Sequence, residues 1–276
     1  TGALNLNGTL TTGSGTGTGV EVGAGVILAA GSASNTITGS VTSSGTPTSL
    51  SAVELNGTFN TPGMITVTGT VNAPTAASAT GVSLLGSLSS TTASAVTVSG
   101  SGALGTGSYD VKVAGTTVSS AGGMVKLVGD SVHVASPVAS SAGGRVSVTP
   151  FTANRPITLA GPSETTAMNL TAAELLFLNG ATANVIGSGT HTGNITIGNS
   201  GGAVALAPGQ PLSLVTGPTA TIAQTAAMNV GRLNVDAGAA TLNQTGNVIG
   251  IVSGQSLNSG LNLAATGPVQ VGTVDG

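Results

Sequence analysis

The chain has 276 residues, a net charge of −3, 5% charged and 1% aromatic residues, 45 glycines and no cysteine. Five scattered bases (Lys112, Lys126, Arg145, Arg155, Arg232) cannot neutralise a phosphate backbone, which excludes nucleic acid as a partner, and the missing thiols exclude disulfides and thiolate metal sites. A mean hydropathy of +0.43 is too apolar for a disordered chain, no apolar run reaches spanning length, and four aromatic residues cannot girdle a membrane barrel.

From the amino end, the opening TGALNLNG lacks a basic segment followed by an apolar one, so the chain is expected to be a processed or internal piece of something longer. LNLNGTL at Leu4, VELNGTF at Val53, ITVTGTV at Ile65 and VSLLGSL at Val82 share the pattern apolar-x-apolar-x-Gly-[Ser/Thr]-apolar. Looser copies start at Val20, Asn35, Val96, Val111 and Val125, and the nine starts are spaced by a mean of about 15 residues. Apolar-x-apolar reads as a short strand with one face inward, and the glycine as a tight left-handed corner. Strand, corner and strand, repeated without helix signals, predict a solenoid whose rungs bury one another's apolar faces. The predicted fold class is therefore all-β, a right-handed parallel β-helix. An antiparallel β-sandwich is the alternative, because Asn-Gly turn pairs occur at Asn7, Asn56 and Asn179.

After about Pro150 the spacing widens towards 20 residues, giving two regions, 1–150 and 151–276, read as one continuous rod of about 14 coils and about 65 Å at one strand spacing per coil. The second region carries AELLFLNG, IGSGTHTGNITI, LSLVTG, MNVGRLNV and a terminal VQVGTVDG. In that order, over Arg155 to Gly276, these segments resemble the filamentous haemagglutinin-type large exoproteins, the passenger proteins of Gram-negative two-partner secretion. The resemblance implies a right-handed β-helix exported through an outer-membrane transporter and shown at, or released from, the cell surface. Its members are mostly adhesins, so the implied partner is a host-cell or glycan receptor. Association of copies end to end, through open strand edges, is a further expectation.

Candidate chemistry is sparse. Asp110, Lys112, Lys126, Asp130 and His133 form the one dense group of titratable residues, with Lys112 and Lys126 expected at equivalent outward positions of successive rungs. It reads first as a compensated surface patch and second as a weak binding patch. A carbohydrate-active enzyme would need Asp110, Lys112, Lys126 and Asp130 in one groove. GSGALG at Gly100–Gly105 and GNSGG at Gly198–Gly202 match dinucleotide and nucleophile-elbow spacings, but strand-like rather than helical residues follow each. His133 and His191 lack partners at ligand spacing, and no cofactor is expected. Sequons stand at Asn7, Asn56, Asn169, Asn194 and Asn243. Thr-x-Thr occurs at Thr36/Thr38 and Thr66/Thr68, the pattern of a flat ice-binding face, but it does not recur at a fixed interval and is set aside. In residues 171–198, Leu176 and Leu178 are expected to form one inward rung, with Phe177 outward, and Ile195 and Ile197 the next. The reading as a whole is a non-enzymatic, secreted stalk.

Overall fold

The computed structural model describes residues 2–102, 108–161, 166–198, 203–207, 209–256 and 258–274. Every strand pairing among them is parallel, so the chain is a parallel β-helix and the antiparallel sandwich is excluded. One long sheet of twelve strands stacks eleven of them in chain order, from Asn5–Thr12 through Asn35–Ser43, Ile65–Asn72, Val96–Ser101, Val125–Val128 and Arg145–Thr149 to Gln270–Val271, and the twelfth, Val204–Ala205, pairs beside that path with Met228–Ala237. A second sheet runs from Thr16–Val22 to Val132–Val134, and a third from Ile27–Ala29 to Leu178–Gly180. A fourth, holding Ile157–Leu159, Met168–Leu170, Ile195–Ile197 and three later strands, belongs to the carboxy-terminal half. The long sheet crosses residue 150 without a break, Arg145–Val148 pairing with Ala183–Ile186.

The winding corrects the expected coil length. The inward residues Leu6, Ile37, Val67, Val98 and Leu127 stack in register along the long sheet, at steps of 31, 30, 31 and 29 residues. Later steps, to Val148, Ile186, Leu214 and Val235, are 21, 38, 28 and 21. A full coil of the first half thus takes two copies of the 15-residue motif. The nine copies alternate strictly, the odd ones lying in the long sheet and the even ones in the second sheet. Among the described residues eleven rungs, rather than 14, stack along the long sheet, about 50 Å at the ordinary strand spacing.

The same motif does two different things. In the second-sheet copies, VELNGTF and VSLLGSL, the glycine is a corner joining that sheet to the third. In the long-sheet copies it lies in mid-strand, and Gly8, Gly39, Gly69 and Gly100 pair with one another across four rungs. None of these glycines adopts positive φ, so the expected left-handed corner is not the reason for them. They are there because two sheets touch: a Cβ on Gly39, Gly69 or Gly100 would overlap the backbone carbonyl oxygen of Ala52, Gly81 or Asp110 respectively. The glycine row pinches the coil into two cores. The main core continues through the chain, with Val53, Val82, Val111 and Val132 stacked against Ile37, Val67, Val98 and Leu127, and Phe59, Leu88, Val118 and Val138 closing the third side. A small core of Val41, Leu50, Ala52, Val71, Ala73 and Ala79 lies beyond the pinch. The narrow interior of stacked Val and Leu leaves little room for rings, and Phe59 is its largest fully buried side chain.

Buried asparagines fill polar gaps at the edges of the coil. The carboxamide nitrogen of Asn35 donates to the Ala33 and Met64 carbonyls, while its oxygen accepts from the Leu4 amide of the preceding rung. Asn169, one of the five sequons, is buried with its amide group bound to the backbone of Gly161, which removes it as a modification site in the folded chain.

The expected rung Leu176-x-Leu178 is replaced by a helical turn. Ala172–Leu175 is a short helix closed by a capping box, in which Thr171 Oγ1 accepts from the Glu174 amide and Glu174 Oε2 accepts from the Thr171 amide. The strand begins only at Leu178, so Leu176 is exposed and Phe177 packs partly buried against the core. Ile195 and Ile197 form an inward rung as expected.

Candidate functional site

The dense group of titratable residues falls on two different sheets. Lys112 lies in the second sheet between Ser83 and His133, and Lys126 lies in the long sheet between Thr97 and Ser147. The expected stacking of the two lysines is therefore wrong: fifteen-residue spacing carries the chain from one side of the coil to the other. Lys112 instead belongs to an outward row of successive rungs, Glu21, Glu54, Ser83, Lys112 and His133.

Asp110 and Asp130 are bound to backbone. Asp110 occupies the second-sheet position that faces the glycine row, and its Oδ2 accepts from the Asp130 amide at 2.6 Å. Asp130 Oδ1 in turn accepts from the Thr152 amide at 2.7 Å. The two carboxylates thus link three successive turns, at the step where coils shorten from 29 to 21 residues. Asp110, Lys112, Lys126 and Asp130 do not meet in one groove, and the acid–base geometry of a carbohydrate-active enzyme is not assembled from them.

A second polar cluster links residues distant in sequence. Glu174 is 4% exposed, and its Oε1 accepts from His133 Nδ1 at 2.8 Å and from the Val134 amide at 3.1 Å. His133 stacks on Tyr109, with ring centroids 4.7 Å apart. Glu174 therefore ties the short helix of one turn to the second-sheet strand Val132–Val134 of another. Its signal was visible as Thr171-x-x-Glu174 before an apolar pair, which is a capping box. Its pairing with His133, 41 residues away, was not.

A shallow recess of about 160 Å³ is lined by Lys126, Phe151, Ser188, Thr190 and His191, among others. His191, in the connection between Ala183–Gly187 and Ile195–Ile197, is 2% exposed, and its Nε2 has no partner among the described residues. Burial lowers the His191 pKa below the usual 6.5, only partly opposed by a hydrogen bond to the Ala153 backbone. A base with a depressed native pKa takes its proton more readily when unfolded, so stability is full above about pH 6.5 and falls as the pH drops below that value. Denaturant titrations between pH 8 and pH 5 should show this fall, and His191→Gln should flatten it.

Among the described residues, no group of three or more His, Asp or Glu could hold a metal ion, and no helix is long and apolar enough to cross a membrane. Residues 103–105 of GSGALG, residues 199–202 of GNSGG, and the carboxylates Glu164 and Asp275 lie outside the described residues. The fold defines a class, the parallel β-solenoids. No protein family, curated protein or solved structure matches this chain.

Proposed function

We propose that this chain is a rigid stalk segment of a secreted, adhesin-like exoprotein of Gram-negative two-partner secretion. The observation that carries the reading is the twelve-stranded parallel sheet, eleven strands of which stack in chain order, continuous with one main core through both halves. Backbone hydrogen bonds in such a stack run along its axis, so bending it means breaking them. The action is mechanical rather than enzymatic: the solenoid holds binding or effector regions away from the cell. An outer-membrane transporter would export the chain unfolded, and a cysteine-free sequence suits passage through its pore. The receptor would be a host-cell or glycan ligand.

Deleting residues 1–276 from the exoprotein of the producing cell, and scoring both its secretion and attachment of the cells to host tissue, tests this. Secretion should persist, and attachment should weaken because the binding regions no longer stand clear of the surface. Full attachment after deletion would sink the stalk role.

A further inference from the structure

The long sheet turns its outer face to solvent in four unbroken rungs. In chain order the outward residues are Asn5, Asn7, Thr9 and Thr11; Thr36, Thr38, Ser40 and Thr42; Thr66, Thr68, Thr70 and Asn72; Thr97, Ser99 and Ser101. Register pairing aligns them into straight ranks, Thr36 on Thr66 on Thr97, Thr38 on Thr68 on Ser99, and Ser40 on Thr70 on Ser101. The interval that looked irregular in sequence is a constant step of 30 or 31 residues along this sheet.

We infer that this face binds ordered water, and specifically the surface of ice. Ranks repeat about 4.8 Å apart from rung to rung and about 6.6 Å apart along each strand. The rung spacing is close to the shorter repeat of oxygen atoms on a prism face of hexagonal ice, and the spacing along the strand is about a tenth below the longer one. Threonine, nine of the fifteen positions, is stiff at χ1, so its hydroxyl and methyl repeat with the backbone. None of the fifteen side chains makes a hydrogen bond within the protein among the described residues, which leaves every hydroxyl available to water. No charge interrupts the array, although a fixed charge would orient water against the ice lattice.

Threonine suits any solvated strand, so residue type alone would decide nothing. Two structural features set this face apart. Outward rows elsewhere are narrower or mixed: the second-sheet row contains Glu21, Glu54, Lys112 and His133, and the long sheet itself loses the pattern at Lys126, Val128 and Val185. Directly beneath the ranks runs the glycine row, where the long sheet rests backbone on backbone against the second sheet. That contact holds the array as a rigid surface, without side chains in between that could rearrange.

The full 276-residue chain, fluorescently labelled, is frozen slowly onto a cold surface, and its partition between ice and liquid is measured together with thermal hysteresis. The wild type should enter the ice and depress the freezing point below the melting point. Thr38→Tyr/Thr68→Tyr places two rings at the centre of the array and should abolish both effects. Ser119→Tyr, outward on the third sheet, should leave them unchanged. Should the tyrosine pair fail to fold, as judged by circular dichroism, serine at Thr36, Thr38, Thr66 and Thr68 should weaken ice entry by removing the methyls. Exclusion of the wild type from ice overturns the inference, and so does equal ice entry by the lattice variants. Neither result bears on the stalk reading, which concerns attachment and secretion.

Discussion

Replacing Gly69 with valine should cost about 4 kcal/mol or more, or prevent folding altogether. A Cβ there would overlap the carbonyl oxygen of Gly81, and its next neighbours would be the Gly81 carbonyl carbon and a methyl of Val82. Overpacking is usually relieved by rotating a side chain, but here the first obstacle is backbone held in two sheets. Relief would separate the long and second sheets, uncovering Val71 and Ala79 on one side of the pinch and Val67 and Val82 on the other. Gly69→Ala should show a smaller loss in the same direction. Gly13→Ala is the matched control, since a Cβ at Gly13 meets nothing within 4 Å, and it should change stability by less than about 0.5 kcal/mol. Urea unfolding followed by circular dichroism separates these outcomes. A Gly69→Val chain as stable as wild type would mean that the sheets do not touch there.

Glu174→Ala should cost about 2–4 kcal/mol, from a lost capping interaction and a buried backbone amide left without its acceptor. Both carboxylate oxygens are engaged, Oε2 with the Thr171 amide and Oε1 with the Val134 amide and His133. Glu174→Gln keeps one acceptor oxygen and turns an NH2 group towards a donor, so it should fall between wild type and alanine. His133 is more exposed than Glu174, and its replacement by alanine should cost less. The double mutant should be less destabilised than the sum of the two single changes, because they share one hydrogen bond. Additive losses would show that the His133–Glu174 contact contributes nothing in solution.

Legibility differed sharply between features. Ile65, Val67 and Val71 point inward and Thr66, Thr68 and Thr70 outward, as period-two alternation requires. At Gly57 the chain does turn a corner, between the strands Ser49–Leu55 and Thr58–Thr61. Yet ITVTGTV and VELNGTF are the same pattern, and one is a straight strand while the other turns a corner. Nothing local separates them; what does is the approach of a second sheet to Gly69, from residues that lie in other parts of the coil. The candidate patch suffered from the same ambiguity. Lys112 and Lys126 are close in sequence and on different sheets, whereas His133 and Glu174 are 41 residues apart and bonded. His191 is buried although it lies in a connection between strands, and no neighbouring residue in the sequence signals that burial.

What the sequence by itself determined is what depends on neighbouring residues: short alternating strands, an apolar interior poor in rings, a surface poor in charge, and hence a solenoid. Coil length, the alternation of motif copies between two sheets, the pinch at the glycine row and the alignment of threonines into ranks were decided only by the tertiary structure. The physical reason is that register between rungs is a long-range property. A residue's partner along the stack is set by how many residues the whole coil consumes, about 30 in the first half, and not by any repeat visible within one strand.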